Sequence, residues 1–398
     1  MHPGLISVDD HLFEPRNLFD DFGFSGLKDS FPRWDSHLGN PGWKFGSKFY
    51  GTSEAAISAG KPWGHRGIFV PASSIPEELS DPVARLNTMD EDGIAVSLCY
   101  PSFMGLGGET MSRHVHEVGL DVLLEAVLAY NRWVREVWWA TAPSRFIAAG
   151  ALPLWDTELA AKMVARMAEE GFKAILFPQA PDQIGFPPLW DPYWKPIFRA
   201  VEEAGLVLCQ HTLSDDMEKY TATNLPPYLP LTLSRTSAIE TISSWILTPA
   251  LDDHPNLRIM VAESGIGWIP WFLELANQSA RLHASEFGRM KMLPGERMEK
   301  HFGLSILAEP IAFGTIMSLP SGLQDRLMFE ADYPHLDGSY PMSRAAFAGL
   351  DLPGWIKMGV ARGNAIDFFR LANPYSFRVE AVFEADGTIT VRKAEVPA

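Results

Sequence analysis

Short apolar runs alternate with segments of helical periodicity along most of this chain. Eight of these runs are almost continuously apolar, which is typical of strands buried on both faces of a parallel sheet. The predicted strands are the run that begins at Ile6, then Ile94–Tyr100, Phe146–Pro153, Phe172–Pro178, Gly205–Thr212, Leu257–Glu263, the weaker run Phe302–Phe313, and Arg326–Asp332. Between them, apolar residues recur every three or four positions and predict helices. The first predicted helix begins at Pro82. The others cover Leu120–Ala140, Asp156–Glu170, Trp190–Ala204, Ile239–Asp252, Trp268–Phe287, Met342–Phe347 and Ile356–Leu371.

Eight strand–helix units in sequence are the number needed to close a (β/α)8 barrel, an α/β fold. We therefore expect residues 1–371 to form one distorted TIM barrel. Alternating apolar residues around Asp386-Gly387, within Phe377–Lys393, predict an appended β-hairpin in residues 372–398.

A long segment, residues 12–80, separates the first strand from the first helix. It is rich in Gly, Pro and aromatic residues and shows no clear helical or strand period. An insertion of this length is usually a lid or a binding segment. If it folds over the strand ends, Trp63, His65 and Arg66 become candidate substrate residues. An aromatic-rich packing or dimerisation flap explains the same composition equally well.

Composition excludes several kinds of partner. The 398 residues carry 33 Lys plus Arg against 49 Asp plus Glu, a formal charge of -16, which repels nucleic acid and anionic membrane surfaces. No apolar run is long enough to predict a membrane span. Cys99 and Cys209, the only cysteines, lie within apolar runs and fit reduced thiols. With no predicted signal peptide, these features lead us to expect a cytoplasmic protein.

Polar residues that bind metals or move protons stand at the ends of four predicted strands. The first strand places Asp9 and His11 on one face, because side chains two positions apart leave a strand in the same direction. His211 ends the fifth strand, Glu263 the sixth and Asp332 the last. Such groups meet at the catalytic end of a barrel and can hold a divalent cation with an open position. For the first strand alone, a turn-capping Asp9 and a core His11 are as plausible.

Several short motifs occur in a characteristic order. They are Asp-x-His-x-x-Glu-Pro at residue 9, Asp-Pro-x-x-Arg-Leu at 81, Tyr130-Asn131, His254-Pro-Asn-Leu257, Glu263-Ser-Gly-Ile-Gly-Trp268 and Asp332-Tyr-Pro-His335. Together they resemble the amidohydrolase-2 branch of the amidohydrolase superfamily, which includes aminocarboxymuconate-semialdehyde and resorcylate decarboxylases. The resemblance covers roughly residues 5–371. It implies a TIM barrel that binds a metal through Asp9, His11, His211 and Asp332, in a protein that is commonly a homo-oligomer.

Two residues depart from that family pattern. Decarboxylases of this branch usually carry a histidine at the end of the sixth strand, where this chain has Glu263. Glu330 stands two residues before Asp332, where the family often has glycine, and it should point into the barrel as well. A buried carboxylate must be paired, protonated or metal-bound, so a second metal ion is a reasonable alternative.

The sequence thus predicts a divalent-metal-dependent hydrolase or non-oxidative decarboxylase of a small carboxylate or carbonyl substrate. The expected metal is zinc or manganese, with iron and a second ion as further possibilities. Asp332 is expected to relay a proton, with Glu263 and His335 assisting and Glu330 near the substrate. The alternatives are a dinuclear metal-dependent oxygenase acting on a small amine or acid, and an inactive barrel that serves as a partner subunit.

Overall fold

A computed structural model describes most of the chain. The described residues are 4–37, 39–61, 75–214, 226, 229, 232–233, 236–287, 291–307, 314–372, 377–383 and 389–395. The strands, numbered in chain order, are β1 (Leu5–Leu12), β2 (Arg33–His37), β3 (Asn40–Phe45), β4 (Lys48–Gly51), β5 (Ile94–Pro101), β6 (Phe146–Ile147), β7 (Ala149–Gly150), β8 (Ala174–Leu176), β9 (Val207–His211), β10 (Arg258–Ala262), β11 (Phe302–Ile306), β12 (Leu327–Phe329), β13 (Phe377–Phe383) and β14 (Ile389–Glu395).

Two parallel sheets make up the barrel wall, in the orders β1-β5-β6 and β12-β11-β10-β9-β8-β7. Only Ala148 separates β6 from β7, so these two short strands continue one path and join the sheets. At the other side, the Asp332 N–H donates to the Asp9 carbonyl at 2.8 Å, and the His11 N–H donates to the Tyr333 carbonyl at 2.7 Å. These bonds bring the first and last strands together. The eight strand paths therefore form a ring, and the predicted TIM barrel is confirmed.

Helices cover the outside of the ring. They are α1 (Leu18–Phe22), α2 (Pro82–Asp92), α3 (Leu120–Trp133), α4 (Thr157–Glu169), α5 (Lys195–Ala204), α6 (Thr236–Ile246), α7 (Ile269–Leu282), α8 (Ala284–Phe287), α9 (Pro294–His301), α10 (Ser321–Gln324), α11 (Ser343–Ala348), α12 (Gly354–Met358) and α13 (Asn364–Phe369). Within the described residues, no helix is both long enough and apolar enough to cross a bilayer.

The start and end of α2 illustrate how local sequence sets these bounds. The Asp81 carboxylate accepts the N–H of Val83 at 2.7 Å, and Pro82 occupies the first helical position, where a missing N–H is harmless. Gly93 ends the helix with a φ of 83°, a backbone conformation that favours glycine. The chain then turns directly into β5.

The insertion is more regular than its sequence suggests. The expectation of a segment without periodicity was wrong for residues 33–51, where β2, β3 and β4 form an antiparallel sheet. β2 is mostly exposed, so it lacks the alternation of apolar residues that marks a strand. Trp43 anchors the sheet and lies 5.3 Å from Phe19 and 5.0 Å from Phe103 between ring centroids.

Two further predictions concern the rest of the insertion and the C-terminus. Trp63, His65 and Arg66 lie outside the described residues, so their role as substrate residues stays a prediction. Near the C-terminus, β13 pairs antiparallel with β14, with Phe377 opposite Glu395 and Phe383 opposite Ile389. This pair is the predicted hairpin.

Candidate metal centre

Four predicted ligands lie together at one end of the barrel. Asp9 and His11 project from β1, His211 ends β9, and Asp332 follows β12. All four side chains are buried, with at most 2% of their surface exposed. The chain positions them because each parallel strand carries its polar residue at its carboxyl end, where the strands of a barrel converge.

The donor atoms form a continuous row. His211 Nε2 lies 3.3 Å from Asp9 Oδ1, and Asp9 Oδ1 lies 3.6 Å from His11 Nε2. His11 Nε2 lies 3.0 Å from Asp332 Oδ1, which is in turn 2.9 Å from His335 Nδ1. Asp9, His11 and His211 offer ligand atoms within 4.8 Å of one another, as do His11, Asp332 and His335.

Several of these atoms have no hydrogen-bond partner. Across the part of the chain that the structure describes, this holds for both carboxylate oxygens of Asp9 and for Nε2 of His211. His211 Nδ1 donates to the Thr212 carbonyl, which leaves a lone pair on Nε2. Because buried polar atoms are normally satisfied, these orphaned atoms fit a bound cation. A set of two imidazoles and two carboxylates suits zinc or manganese.

The charge states of the row agree with cation binding. Burial raises the pKa of Asp9 well above its usual range, and the nearby Asp332 and Glu263 carboxylates reinforce this effect. Burial, together with the charge of His335, lowers the pKa of His11 well below its usual range. A neutral imidazole is the form that binds metals. A cation bound beside Asp9 would lower the pKa of its carboxyl group again and favour the ionised form.

His335 forms the outer end of the row. Its ring stacks on His11 with centroids 3.8 Å apart, and its side chain is 25% exposed. Burial lowers the pKa of His335, but the Asp332 carboxylate outweighs this effect and raises it to about 9. Burial opposes ionisation of Asp332 as well, but His335 and His11 hold its pKa well below the usual range. Without a metal, Asp332 and His335 therefore form an ion pair at neutral pH.

The two carboxylates that depart from the family pattern also lie at this end. Glu263 is 3% exposed and accepts a hydrogen bond from Thr212 Oγ1 at 2.6 Å. The Glu263 N–H donates to Glu330 Oε2 at 3.1 Å, and Glu330 is fully buried. Glu263 and Asp332 have φ values of 56° and 51°, a region that costs about 1–3 kcal/mol for residues other than glycine. Such strained positions cluster at functional sites.

A buried arginine contacts the backbone and the acid next to the row. Arg85, 1% exposed, donates from Nη1 to the His11 carbonyl at 3.1 Å, and its Nη2 lies 3.8 Å from Asp10 Oδ2. Its guanidinium also lies 4.3 Å from the ring centroid of Tyr333, the residue after Asp332. Asp10 Oδ1 accepts the Tyr333 N–H at 3.1 Å. Arg85 and Asp10 thus fix the backbone beside two predicted ligands.

Sequence reasoning missed the roles of these supporting residues. Arg85 belongs to the Asp-Pro-x-x-Arg-Leu motif, so a signal existed, but the motif does not reveal what the arginine contacts. Glu14 was likewise missed. It is 3% exposed and accepts the N–H groups of Phe103 and Met104 at 2.9 and 2.8 Å. It therefore fixes the loop after β5, although its sequence signal was only the Glu-Pro that ends the first strand.

Comparison with known proteins identifies the family. A sequence model described as amidohydrolase matches residues 101–371, which is more than half of the chain. The chain belongs to the amidohydrolase-2 family. The matched region of this amidohydrolase contains His211, Glu263, Asp332 and His335, and begins after the strand that carries Asp9 and His11. Among curated proteins, none matches the sequence of this chain.

Solved structures share the fold. An amidohydrolase from Mycobacterium avium subsp. paratuberculosis K-10 is 21% identical, with a TM-score of 0.76, and the match covers 93% of this chain and all of that one. 5-Carboxyvanillate decarboxylase from Novosphingobium aromaticivorans DSM 12444, with bound manganese, is 20% identical over 93% of this chain and 98% of that chain, with a TM-score of 0.63. 2,6-Dihydroxybenzoate decarboxylase from Rhizobium is 17% identical over 92% and 99%, with a TM-score of 0.56. At these identities the likeness concerns the amidohydrolase fold alone.

Proposed function

We propose that this amidohydrolase is a divalent-metal-dependent hydrolase or non-oxidative decarboxylase of a small carboxylate or carbonyl substrate. The observation that carries the proposal is the buried row of His211, Asp9, His11 and Asp332. These side chains come from three separate strands and bring their ligand atoms close together. Among the described residues, both carboxylate oxygens of Asp9, Nε2 of His211 and Oδ2 of Asp332 have no hydrogen-bond partner. An ordinary barrel core would satisfy such atoms or replace them with apolar side chains.

Asp9, His11, His211 and Asp332 would hold the cation. When bound, a divalent cation supplies Lewis acidity toward a carboxylate or carbonyl oxygen and lowers the pKa of a coordinated water. Manganese is supported by its presence in the 5-carboxyvanillate decarboxylase structure, and zinc by the two imidazole donors. We propose one of these two, with iron as a further candidate.

The proton-moving groups of the site would be Asp332 and His335. At neutral pH His335 is an imidazolium whose Nδ1 lies 2.9 Å from Asp332 Oδ1, at the partly exposed edge of the row. It can donate this proton to a leaving group or to a carbon that has lost CO2. Loss of that proton removes the charge that does most to lower the pKa of Asp332, so Asp332 would then be better able to take up a proton from water. Both reactions need a proton at this position, which is why the site supports either one.

Glu263 distinguishes this site from that of the decarboxylases that the sequence resembles. Its carboxylate, oriented by Thr212, cannot act as an imidazolium toward the carboxylate of a substrate. It can accept a proton from an attacking water, which would favour hydrolysis. We therefore rank hydrolysis of a C–N or C–O bond first and decarboxylation second. The inactive-subunit alternative has less support, because the complete donor row is retained.

The test begins with metal analysis of the purified protein, followed by a screen of small aromatic and amino carboxylates. Release of 13CO2 from carboxyl-labelled substrate would identify decarboxylation, whereas one 18O from labelled water in the product would identify hydrolysis. His211→Ala is expected to lose both metal and turnover, and the exposed Arg166→Ala serves as a matched control. If His211→Ala retained its metal, the proposed site would be wrong.

We also propose that the protein is a cytoplasmic homo-oligomer, a state that rests on the family resemblance and on the sequence. Light scattering coupled to gel filtration measures the mass of the assembly directly. A mass equal to one chain, 44.2 kDa, would contradict the oligomer.

A further inference from the structure

Helix α7 (Ile269–Leu282) has an apolar outer face. Four side chains of its inner face belong to the main hydrophobic core: Ile269, Phe272, Leu273 and Ala276. The outer face carries Trp271, Leu275 and Leu282, of which 62%, 45% and 74% of the surface is exposed. Grouped apolar side chains on a protein surface are typical of contact sites for another macromolecule.

The three exposed apolar residues of α7 form one line along the helix. With 3.6 residues per turn, the spacings of four and seven residues keep Trp271, Leu275 and Leu282 within about 40° of one another around the helix axis. At 1.5 Å per residue, the line is about 16 Å long. The exposed Gln278 occupies the turn between the two leucines. Such a line lets one helix pack lengthwise against another.

Two opposite charges lie on one flank of this line. Glu274 and Arg281 are both exposed and are seven positions apart, which is two helical turns. Neither side chain has an ion-pair partner among the residues that the structure describes. The two charges cancel, so α7 is neutral in a chain whose formal charge is -16. Two such acidic chains repel each other, and this neutral helix is a place where they can approach closely.

The outer face of α7 is self-complementary under a twofold rotation. If two copies of the helix lie antiparallel, Trp271 of each copy lies opposite Leu282 of the other. Glu274 and Arg281 then occupy the same side of the pair, and a register one residue away brings each glutamate opposite an arginine. In a parallel pair the charged flanks would lie on opposite sides and could not meet. A twofold interface between identical chains needs this self-complementarity.

The next helix can extend the same surface. A stable interface usually covers about 800 Å² on each partner, which is more than one helix face supplies. The Gly295 N–H of α9 donates to Asn277 Oδ1 of α7 at 3.0 Å, so the two helices are held together. Leu293, just before α9, is 37% exposed and adds apolar surface beside α7.

We propose that the outer face of α7 is the centre of a twofold interface between two copies of this chain, with the two helices antiparallel. The proposal rests on the homo-oligomer proposed above and adds the surface and the direction of pairing. It is independent of the metal and of the reaction, so those parts of the proposed function are tested separately.

The first experiment measures the mass of the full chain by light scattering after gel filtration. The wild-type assembly should contain an even number of chains, and Trp271→Glu should halve its mass. Loss of a central tryptophan should raise the dissociation constant by at least about 30-fold. Trp355→Glu is the matched control, because Trp355 is 61% exposed on α12, and it should retain the wild-type mass. Circular dichroism melting establishes that both variants fold.

A second experiment tests the antiparallel direction. Glu274→Arg and Arg281→Glu each place like charges opposite one another, so each should raise the dissociation constant about tenfold in analytical ultracentrifugation. An equal mixture of the two variants should recover the wild-type affinity, because every altered position then faces the opposite charge on the other chain.

The outcomes separate this interface from the oligomer itself. A wild-type mass of one chain, 44.2 kDa, would overturn both, and the face would then belong to a partner other than a second copy. An unchanged mass in Trp271→Glu, or an equal loss in Trp355→Glu, would overturn the α7 interface and leave the homo-oligomer intact. A mixture of the charge variants that associates no better than either one alone would overturn the antiparallel pairing.

Discussion

Replacement of Arg85 by methionine should destabilise this protein far more than replacement of an exposed arginine. The change keeps an unbranched side chain of similar length but removes the positive charge beside Asp10 and the donor to the His11 carbonyl. Both lost contacts are buried, so water cannot replace them. The expected effect is a lower free energy of unfolding and a weaker affinity for metal.

The magnitude follows from the distances. At 3.8 Å between Arg85 Nη2 and Asp10 Oδ2, Coulomb's law with an effective dielectric constant of 20 gives about 4 kcal/mol of attraction. Removal of one partner of a buried pair typically costs about 3–5 kcal/mol, because the other charge stays buried. Burial raises the pKa of Asp10 to about 6 even with Arg85 in place. Without Arg85 the carboxyl group should bind a proton more readily, so the loss should be smaller at pH 6 than at pH 8.

The assay is equilibrium unfolding of the metal-free protein in urea, followed by circular dichroism at pH 6 and pH 8. Arg166→Met is the matched control, since Arg166 forms an exposed ion pair with Glu170 and should cost at most about 0.5 kcal/mol. The double variant Arg85→Met with Asp10→Asn removes both charges. It should recover about 2 kcal/mol relative to Arg85→Met alone, because no uncompensated charge remains.

Metal affinity gives a second measurement on the same proteins. Arg85 fixes the carbonyl of His11 and the ring beside Asp332, so its loss should weaken Mn²⁺ binding by about 10–100-fold, as for other residues that orient ligands. The reasoning would be refuted if Arg85→Met were no less stable than Arg166→Met. It would also be refuted if the double variant were as unstable as the two single losses added together.

Three further predictions concern the site and its surroundings. His211→Ala should lower Mn²⁺ affinity by at least about 100-fold in calorimetric titration, and an unchanged affinity would exclude it as a ligand. Burial raises the pKa of Glu14 to about 7, so the Glu14 carboxyl group binds a proton more tightly in the folded chain than in the unfolded chain. Its unfolding free energy should fall by roughly 3 kcal/mol between about pH 4.5 and 7. In urea unfolding at several pH values, Glu14→Gln should make the unfolding free energy less dependent on pH. The exposed control Glu77→Gln should leave that dependence unchanged, and the same pH dependence in both variants would contradict the prediction. The pKa of His335 is raised to about 9, so its stabilisation of the metal-free protein is present below about pH 6.5 and lost as pH rises through 9. Proton NMR of the ring should show this titration, and a midpoint near 6.5 would contradict it.

The sequence predicted the fold well because the barrel is built from repeated local signals. The eight apolar runs correspond to the eight strand paths, although several strands are shorter than predicted. The fourth covers only Ala174–Leu176, the seventh ends at Ile306 and the last ends at Phe329. The polar residues at strand ends were found because parallel strands share one catalytic edge. Asp9 and His11, two apart on β1, needed only the period of a strand to be placed on one face.

Contacts between distant segments could not be predicted in the same way. The pairing of Arg85 with Asp10 joins a helix to the first strand, and no local pattern encodes it. The sheet of residues 33–51 was missed because its exposed strand carries little apolar alternation. These features depend on tertiary packing, which a single sequence does not display.

The hydrogen bond between His11 and Asp332 links positions that are 321 residues apart. During synthesis on a ribosome, β1 emerges first but cannot complete this row until β12 has followed it out. Binding of a cation would consequently come at the end of folding. It would indicate that the barrel had closed between β1 and β12. A chain cut anywhere before β12 should fold, if at all, without a binding centre, so cation uptake could serve as a direct test of complete assembly.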